Sequence, residues 1–199
     1  MSRLFKPFRT HRNWVLLASF VFFGALAAAK IATYQYHQEM IELFTPFFAQ
    51  LEGLGETVFD PERPLRGAWF LLRNNLTASL TMMLTGPLIV LPFFGLLLNG
   101  GGIGVLAAML FIDGVITPFT FYVRGILPHG LFEVPALLLA GAIGLRTSAQ
   151  LLRPPAGTTR LPALRDNYIH ALRATPVLVV LLIIAALVEV FITPQLLMF

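Results

Sequence analysis

The residues best suited to chemistry lie in one short stretch, residues 127–136, which reads Leu-Pro-His-Gly-Leu-Phe-Glu-Val-Pro-Ala. It places the imidazole of His129 and the carboxylate of Glu133 between two long apolar runs. Ionisable side chains next to lipid are costly, so we expect them to serve a function or to find a partner. A candidate intramembrane polar cluster is completed by further residues within or beside apolar runs: Arg73, Asn74, Asn75, Asp113, Arg124 and Glu189.

These residues do not predict an enzyme. The sequence holds no His-Glu-x-x-His pattern, and no Gly-x-Ser-x-Gly motif surrounds Ser79. The absence of cysteine excludes disulfides, thiolate metal ligands and a cysteine nucleophile. A metal site would have to use His129, Glu133 and Glu189, and their spacing is not diagnostic. We therefore assign no catalytic residue, no metal and no cofactor from the sequence.

The composition indicates a membrane protein. Of the 199 residues, 57% are hydrophobic and 12% are charged, whereas about a quarter of the residues of a soluble domain are charged. The net charge of +4 could suggest nucleic acid, but basic residues of multi-spanning proteins collect in cytoplasmic loops. We expect the lipid bilayer as the surroundings and no nucleic-acid partner.

Five apolar runs are long enough to cross a hydrocarbon core of ~30 Å: residues 14–33, 69–98, 103–122, 134–152 and 176–193. Residues 99–102, Asn-Gly-Gly-Gly, are predicted to form the turn between the second and third spans. The first run could also be a cleavable signal peptide, because basic residues precede it and residues 27–29 resemble a cleavage site. Since the rest of the chain is also membranous, we expect an uncleaved anchor.

Residues 34–67 form the one extended polar region, with apolar residues on one helical face. We predict an amphipathic helix outside the membrane, which serves as a partner surface or lies on the bundle or on the lipid. The fold class is thus an all-α polytopic membrane protein with five transmembrane helices. It is a single domain, with an anchor and amphipathic part at 1–67 and a four-span module at 68–199.

The distribution of charge predicts the orientation. A cytoplasmic N-terminus and an extracytoplasmic C-terminus bring most basic residues to the cytoplasmic side, as the positive-inside rule requires. They are Arg3, Lys6, Arg9, Arg12, Arg146, Arg153, Arg160, Arg165 and Arg173.

This topology brings most of the polar cluster into the outer half of the membrane. Asp113 is the exception, because it is predicted nearer the membrane centre without a partner. A helix that begins at Leu131 would place His129 and Glu133 on one face. Pro135 counts against this, because proline prefers the first helical position, and a start there would leave both residues in a non-helical entry. Two roles remain open for the cluster, a structural one that ties helix ends together and a transport or proton-handling one.

A stripe of small residues recurs every four positions along the fourth run: Ala136, Ala140, Gly144 and Ser148. Such stripes let a neighbouring backbone approach closely. The stripe and the amphipathic segment are predicted to supply helix and partner contacts, and the protein is expected to self-associate.

At these residues the chain resembles the stage II sporulation protein M family. The resemblance covers about residues 68–194 and rests on Asn74-Asn75, Asn99-Gly100, Pro128-His129-Gly130 with Glu133 and Ala136, Gly141 with Gly144, and Glu189 with Thr193-Pro194. The family's namesake is a five-span scaffold that assembles peptidoglycan-degrading enzymes, a lytic transglycosylase and an amidase, during engulfment of the forespore. The resemblance implies the membrane module and the scaffold role, and it carries no catalytic assignment.

The function expected from the sequence is that of a multi-pass scaffold in the bacterial cytoplasmic (inner) membrane. Its expected partners are the bilayer, other membrane or cell-wall proteins and a second copy of the chain. The alternative is a small transporter or channel component, with a polar site formed by His129, Glu133, Glu189 and Asp113.

Overall fold

The fold is a bundle of long helices. A computed structural model describes residues 6–58, 60 and 62–198, and of residues 50–58 it describes the backbone alone. The helices are α1 (Lys6–Thr10), α2 (Arg12–Gln35), α3 (His37–Val58), α4 (Pro64–Leu84), α5 (Leu91–Ile112), α6 (Leu127–Leu152), α7 (Arg160–Phe191) and α8 (Thr193–Leu197). A 3-10 turn at Gly86–Leu88 separates α4 from α5, and a π-helical segment, Thr120–Ile126, leads into α6.

Four helical segments among the described residues are long and apolar enough to cross a membrane: Arg12–Gln35, Leu91–Ile112, Thr120–Leu152 and Arg160–Phe191. The chain is therefore an all-helical, multi-pass membrane protein. Helix α4 is less apolar because it carries two arginines and two adjacent asparagines, and it is not one of the four.

The boundary between the predicted second and third spans was wrong. The predicted turn at residues 99–102 lies in the interior of α5, and the chain instead breaks at residues 85–90. Gly86 and Pro87 lie in this break, and Ile89 adopts a positive φ of 57° there. Proline has no backbone N–H to continue a helix. Helix α5 ends at Ile112, and the predicted third run is interrupted at residues 113–117.

The last two spans begin earlier than their predicted limits. Helix α6 starts at Leu127, with Pro128 in its first turn and Pro135 in its interior. Helix α7 starts at Arg160 and continues through Pro176. Most of the basic segment between the fourth and fifth predicted runs is therefore helical. Proline is tolerated within membrane helices because neighbouring helices and side chains satisfy the freed backbone groups.

The glycines of α5 let it pack closely against α2. A Cβ atom on Gly100 would meet the carbonyl oxygen of Phe22, and one on Gly104 would meet that of Leu26. Residue numbers therefore increase in the same direction along both helices, so α2 and α5 run parallel. The chain that connects them, through α3 and α4, has to return to the end of the bundle where α2 begins.

The break at residues 85–90 is held against the C-terminal half of α6. The Ser148 hydroxyl lies 2.9 Å from the carbonyl oxygen of Gly86, to which it donates. The Tyr168 hydroxyl donates to the carbonyl of Leu84 at 3.1 Å. The end of α4, the end of α6 and the beginning of α7 therefore meet at one end of the bundle.

The small-residue stripe of α6 is used inside the chain. Ala136 and Ala140 belong to a buried core with Leu139, while a Cβ on Gly144 would meet the Met82 carbonyl. The stripe therefore allows the close helix approach that the sequence predicts, because it faces neighbouring helices of the same molecule.

Helix α3 lies against the bundle through aromatic side chains. Phe44 is buried beside Ala29 and Val105. Cβ atoms on Gly101 and Gly102 would meet the rings of Phe44 and Phe47, respectively. Phe44 and Phe47, on the apolar face of the predicted amphipathic helix, therefore pack against α2 and α5.

Candidate functional site

Three ionisable side chains converge where α6 and α7 meet. His129, Glu133 and Glu189 each offer a nitrogen or oxygen atom within 4.8 Å of those of the other two. The Nε2 atom of His129 lies 3.9 Å from Oε2 of Glu189. Because α6 begins at Leu127, His129 and Glu133 stand one helical turn apart and share a face. The early start of α6 thus places His129 and Glu133 on one helical face, whereas a helix that started at Pro135 would have left both residues outside it.

Polar groups from two further helices surround this set. Asn75 of α4 hydrogen-bonds to Glu133, and Nδ2 of Asn74 lies 3.3 Å from Oδ1 of Asn75. Thr193, the first residue of α8, places Oγ1 3.5 Å from Nδ1 of His129. The cluster therefore connects α4, α6, α7 and α8.

The cluster lines one end of a cavity of about 750 Å³, a size typical of small-molecule sites. The polar lining residues are Asn74, Asn75, Thr81, Asn99, His129, Glu133 and Glu189. Most of the remaining wall is apolar and includes Leu91, Phe94 and Leu98. The cavity is thus mainly apolar, with its ionisable groups gathered at the cluster.

The other predicted cluster members lie outside the cavity lining. Arg73 is exposed on α4, since a rotation of about 100° per residue turns it away from Asn74. Arg124 stacks over the ring of Phe119 at 5.8 Å. Asp113 is exposed at the C-terminal cap of α5, because α5 ends there instead of continuing. The two predicted guanidinium partners therefore form no salt bridge with the carboxylates among the described residues.

A second polar cluster, which the sequence analysis did not identify, lies at the opposite end of the bundle. Arg146 places Nη1 3.4 Å from Nδ1 of His11 and Nη2 3.4 Å from Oδ2 of Asp166. His170 Nε2 lies 3.5 Å from the same oxygen of Asp166, and its ring meets that of His11 edge-on at 5.2 Å. The available signal is the charge distribution, which places Arg146 on the same side of the membrane as Arg12 and Arg165, the sequence neighbours of His11 and Asp166.

His11 is 1% exposed within this second cluster. Burial, and next to it the positive charge of Arg146, lower the pKa of His11 to about 4, although the carboxylate of Asp166 opposes this shift. Its ring is therefore neutral at physiological pH, and the cluster depends on Arg146 for its positive charge.

The fold and the cluster define a class of protein, a multi-pass helical membrane protein with a polar cavity between its helices. Within this class, residues 14–194 match the model of the stage II sporulation protein M family, and the chain belongs to that family. It is also 28% identical over 127 residues to an uncharacterized protein of Methanocaldococcus jannaschii, a match that covers 63% of this chain and 70% of the relative. No solved structure matches the chain.

Proposed function

We propose that this protein is a scaffold of the bacterial cytoplasmic membrane that holds partner proteins against its bundle. Peptidoglycan-degrading enzymes are the partner class that the family resemblance suggests. The cavity wall is the observation that carries this proposal. Its long apolar part, with Phe94 and Leu98, suits the side chains of a partner's membrane helix. An aqueous ion path would instead require suitable polar groups or dipoles along its length.

Five membrane spans, with the N-terminus in the cytoplasm, form part of the proposal. The parallel packing of α2 and α5 supports it, because α4 must carry the chain back across the membrane between them. The position of Arg146, Arg153 and Arg160 near one end of the bundle supports a cytoplasmic location for that end. On this topology the C-terminus and the polar face of α3 are extracytoplasmic.

Self-association, where it occurs, would use the outer face of α2. Phe20 and Phe23 are 77% and 52% exposed on that face, whereas the stripe on α6 is occupied. We extend the proposal to a homo-oligomer formed through α2.

Photo-crosslinking in cells tests these contacts at three exposed positions. A photoreactive residue at Phe94, on the cavity wall, is expected to capture a lytic transglycosylase or an amidase. At Phe20 it is expected to capture a second copy. Val180 on α7 is the control, since it is 45% exposed and does not line the cavity, and lipid adducts alone are expected there. Lipid adducts alone at Phe94 as well would contradict the scaffold.

A small transporter or channel component is the second candidate. The presence of His129, Glu133 and Glu189 inside a cavity favours it, because ionisable groups within membrane proteins often mark ion or proton pathways. Asp113, the fourth residue expected at that site, is not among the lining residues. Ion or proton flux into proteoliposomes that disappears in His129→Ala, while the variant stays folded, would favour transport over the scaffold.

A further inference from the structure

The hydrogen bonds around Thr193 indicate which ring nitrogen of His129 carries its proton. The Thr193 hydroxyl lies 3.4 Å from the carbonyl oxygen of Val188, which can only accept a hydrogen bond. If the hydroxyl proton points there, Thr193 Oγ1 is left to accept from Nδ1–H of His129 at 3.5 Å. This arrangement leaves Nε2 without a proton and with its lone pair directed away from Thr193.

That lone pair faces carboxylate oxygens. His129 Nε2 lies 3.9 Å from Oε2 of Glu189, and Glu133 supplies a third donor atom within 4.8 Å. No lysine or arginine is among the described residues that line the cavity. Three electron-pair donors therefore point at a common volume without a fixed positive charge, and buried negative charge requires a counter-charge to be stable.

We propose that His129, Glu133 and Glu189 bind a divalent transition-metal ion, of the class of Zn²⁺ or Mn²⁺. Donor atoms around such an ion, bound at about 2.0–2.2 Å, stand roughly 3 to 3.5 Å from one another. The observed separations exceed this by on the order of 1 Å, which changes of side-chain rotamer can close. Three protein ligands beside a cavity leave a coordination position open to a further ligand.

The donor types select the class of metal. An imidazole nitrogen with carboxylates suits Zn²⁺, Mn²⁺ and other first-row ions, whereas Ca²⁺ and Mg²⁺ prefer oxygen ligands alone. The Thr193 contact to Nδ1 matches the outer-shell hydrogen bond that orients metal-binding histidines. Bound metal would join α6 to α7, which adds a binding activity that the scaffold proposal does not contain.

Metal binding by the purified full-length chain in detergent tests the site. After removal of metal with a chelator, Zn²⁺ or Mn²⁺ is titrated calorimetrically, and thermal unfolding is followed with and without each ion. We expect one ion per chain and a higher Tm with metal. Glu133→Gln, Glu189→Gln and His129→Gln should each weaken binding at least about tenfold. Glu42→Gln, which changes an exposed carboxylate outside the cavity, should bind as the wild type does.

The metal-free unfolding temperatures separate a metal site from a purely structural cluster. For a metal site, Glu189→Gln removes a repulsive charge, so the metal-free Tm stays equal or rises while the response to metal is lost. Wild-type protein that binds neither ion would overturn the proposal. So would a Tm that responds to pH but not to metal, since the cluster would then hold only protons, or unchanged binding in all three variants.

Discussion

At the scale of single residues, Ser148 shows how one hydroxyl stabilises a break between helices. The chain leaves helical geometry between α4 and α5, which frees backbone carbonyl groups that lipid cannot satisfy. The Ser148 hydroxyl reaches the carbonyl oxygens of Gly86 at 2.9 Å and Ile89 at 3.2 Å from another helix. Its place in a stripe of small residues gave no hint of this bond, because the stripe pattern reports only size.

We expect Ser148→Ala to reduce the free energy of unfolding by about 1 kcal/mol, because it removes a buried hydrogen bond between α6 and the break. Ser19→Ala is the matched control. The Ser19 hydroxyl bonds only to the Val15 carbonyl of its own helix, at 2.8 Å, so its loss should change little. Thermal unfolding of both variants in detergent measures the difference, and equal Tm values would show that the bond across the break contributes nothing.

His11 predicts a dependence of stability on pH. Its pKa is about 4 in the folded chain, against 6.5 for an unperturbed histidine, so the unfolded state binds more protons between these values. Stability should therefore be complete above about pH 6.5 and fall as the pH is lowered to about 4, by on the order of 1–2 kcal/mol after allowance for solvent screening.

The measurement compares the unfolding temperature of wild type and His11→Gln across this pH window. The variant should lose less stability than the wild type as the pH falls. Curves of identical slope would mean that His11 titrates normally and that other groups are responsible for any acid sensitivity.

At the scale of elements, α5 shows what sequence pattern can and cannot assign. Glycine clusters usually mark turns, and this rule predicts a turn from Asn99 to Gly102. In this chain the same glycines are inside a helix, where Gly100 and Gly104 face the backbone of α2 and Gly102 faces Phe47. Single-sequence pattern contains no information on the neighbour, so the apolar content of α5 was predictable and its boundaries were not.

Gly104→Ala is expected to separate α2 from α5. The added Cβ would collide with the Leu26 carbonyl, a backbone group that cannot rotate away, and overpacking of this kind lowers stability by about 1–3 kcal/mol. Gly24→Ala on α2 is the control, because a Cβ there meets nothing within 4 Å and alanine favours a helix. Thermal unfolding should show a loss for Gly104→Ala and no loss for Gly24→Ala; similar behaviour of the two would contradict close packing at Gly104.

At the scale of the whole molecule, hydropathy predicted an all-helical membrane protein, and positive charge grouped Arg146, Arg153 and Arg160 at one end. The meeting of His129 with Glu189 followed from counting spans, since both were placed near the outer ends of their helices. Contacts that depend on the direction in which a side chain points from its helix could not be predicted from hydropathy and charge. Arg73 is the example, because it precedes Asn74 in sequence and yet points away from the cavity.

The proposal of five spans depends on whether α4 crosses the membrane, and labelling can measure this. The chain has no cysteine, so single-cysteine variants at exposed positions report topology without background: Glu62→Cys before α4, Val115→Cys after α5 and Thr158→Cys between α6 and α7. If α4 crosses the membrane, an impermeant maleimide applied to intact cells should label positions 62 and 115 and leave 158 protected until the membrane is opened. If α4 does not cross, 62 and 158 would share a side, and 115 would lie opposite. That second result would contradict the parallel arrangement of α2 and α5. Two transmembrane helices that run parallel need the chain between them to cross the membrane once more.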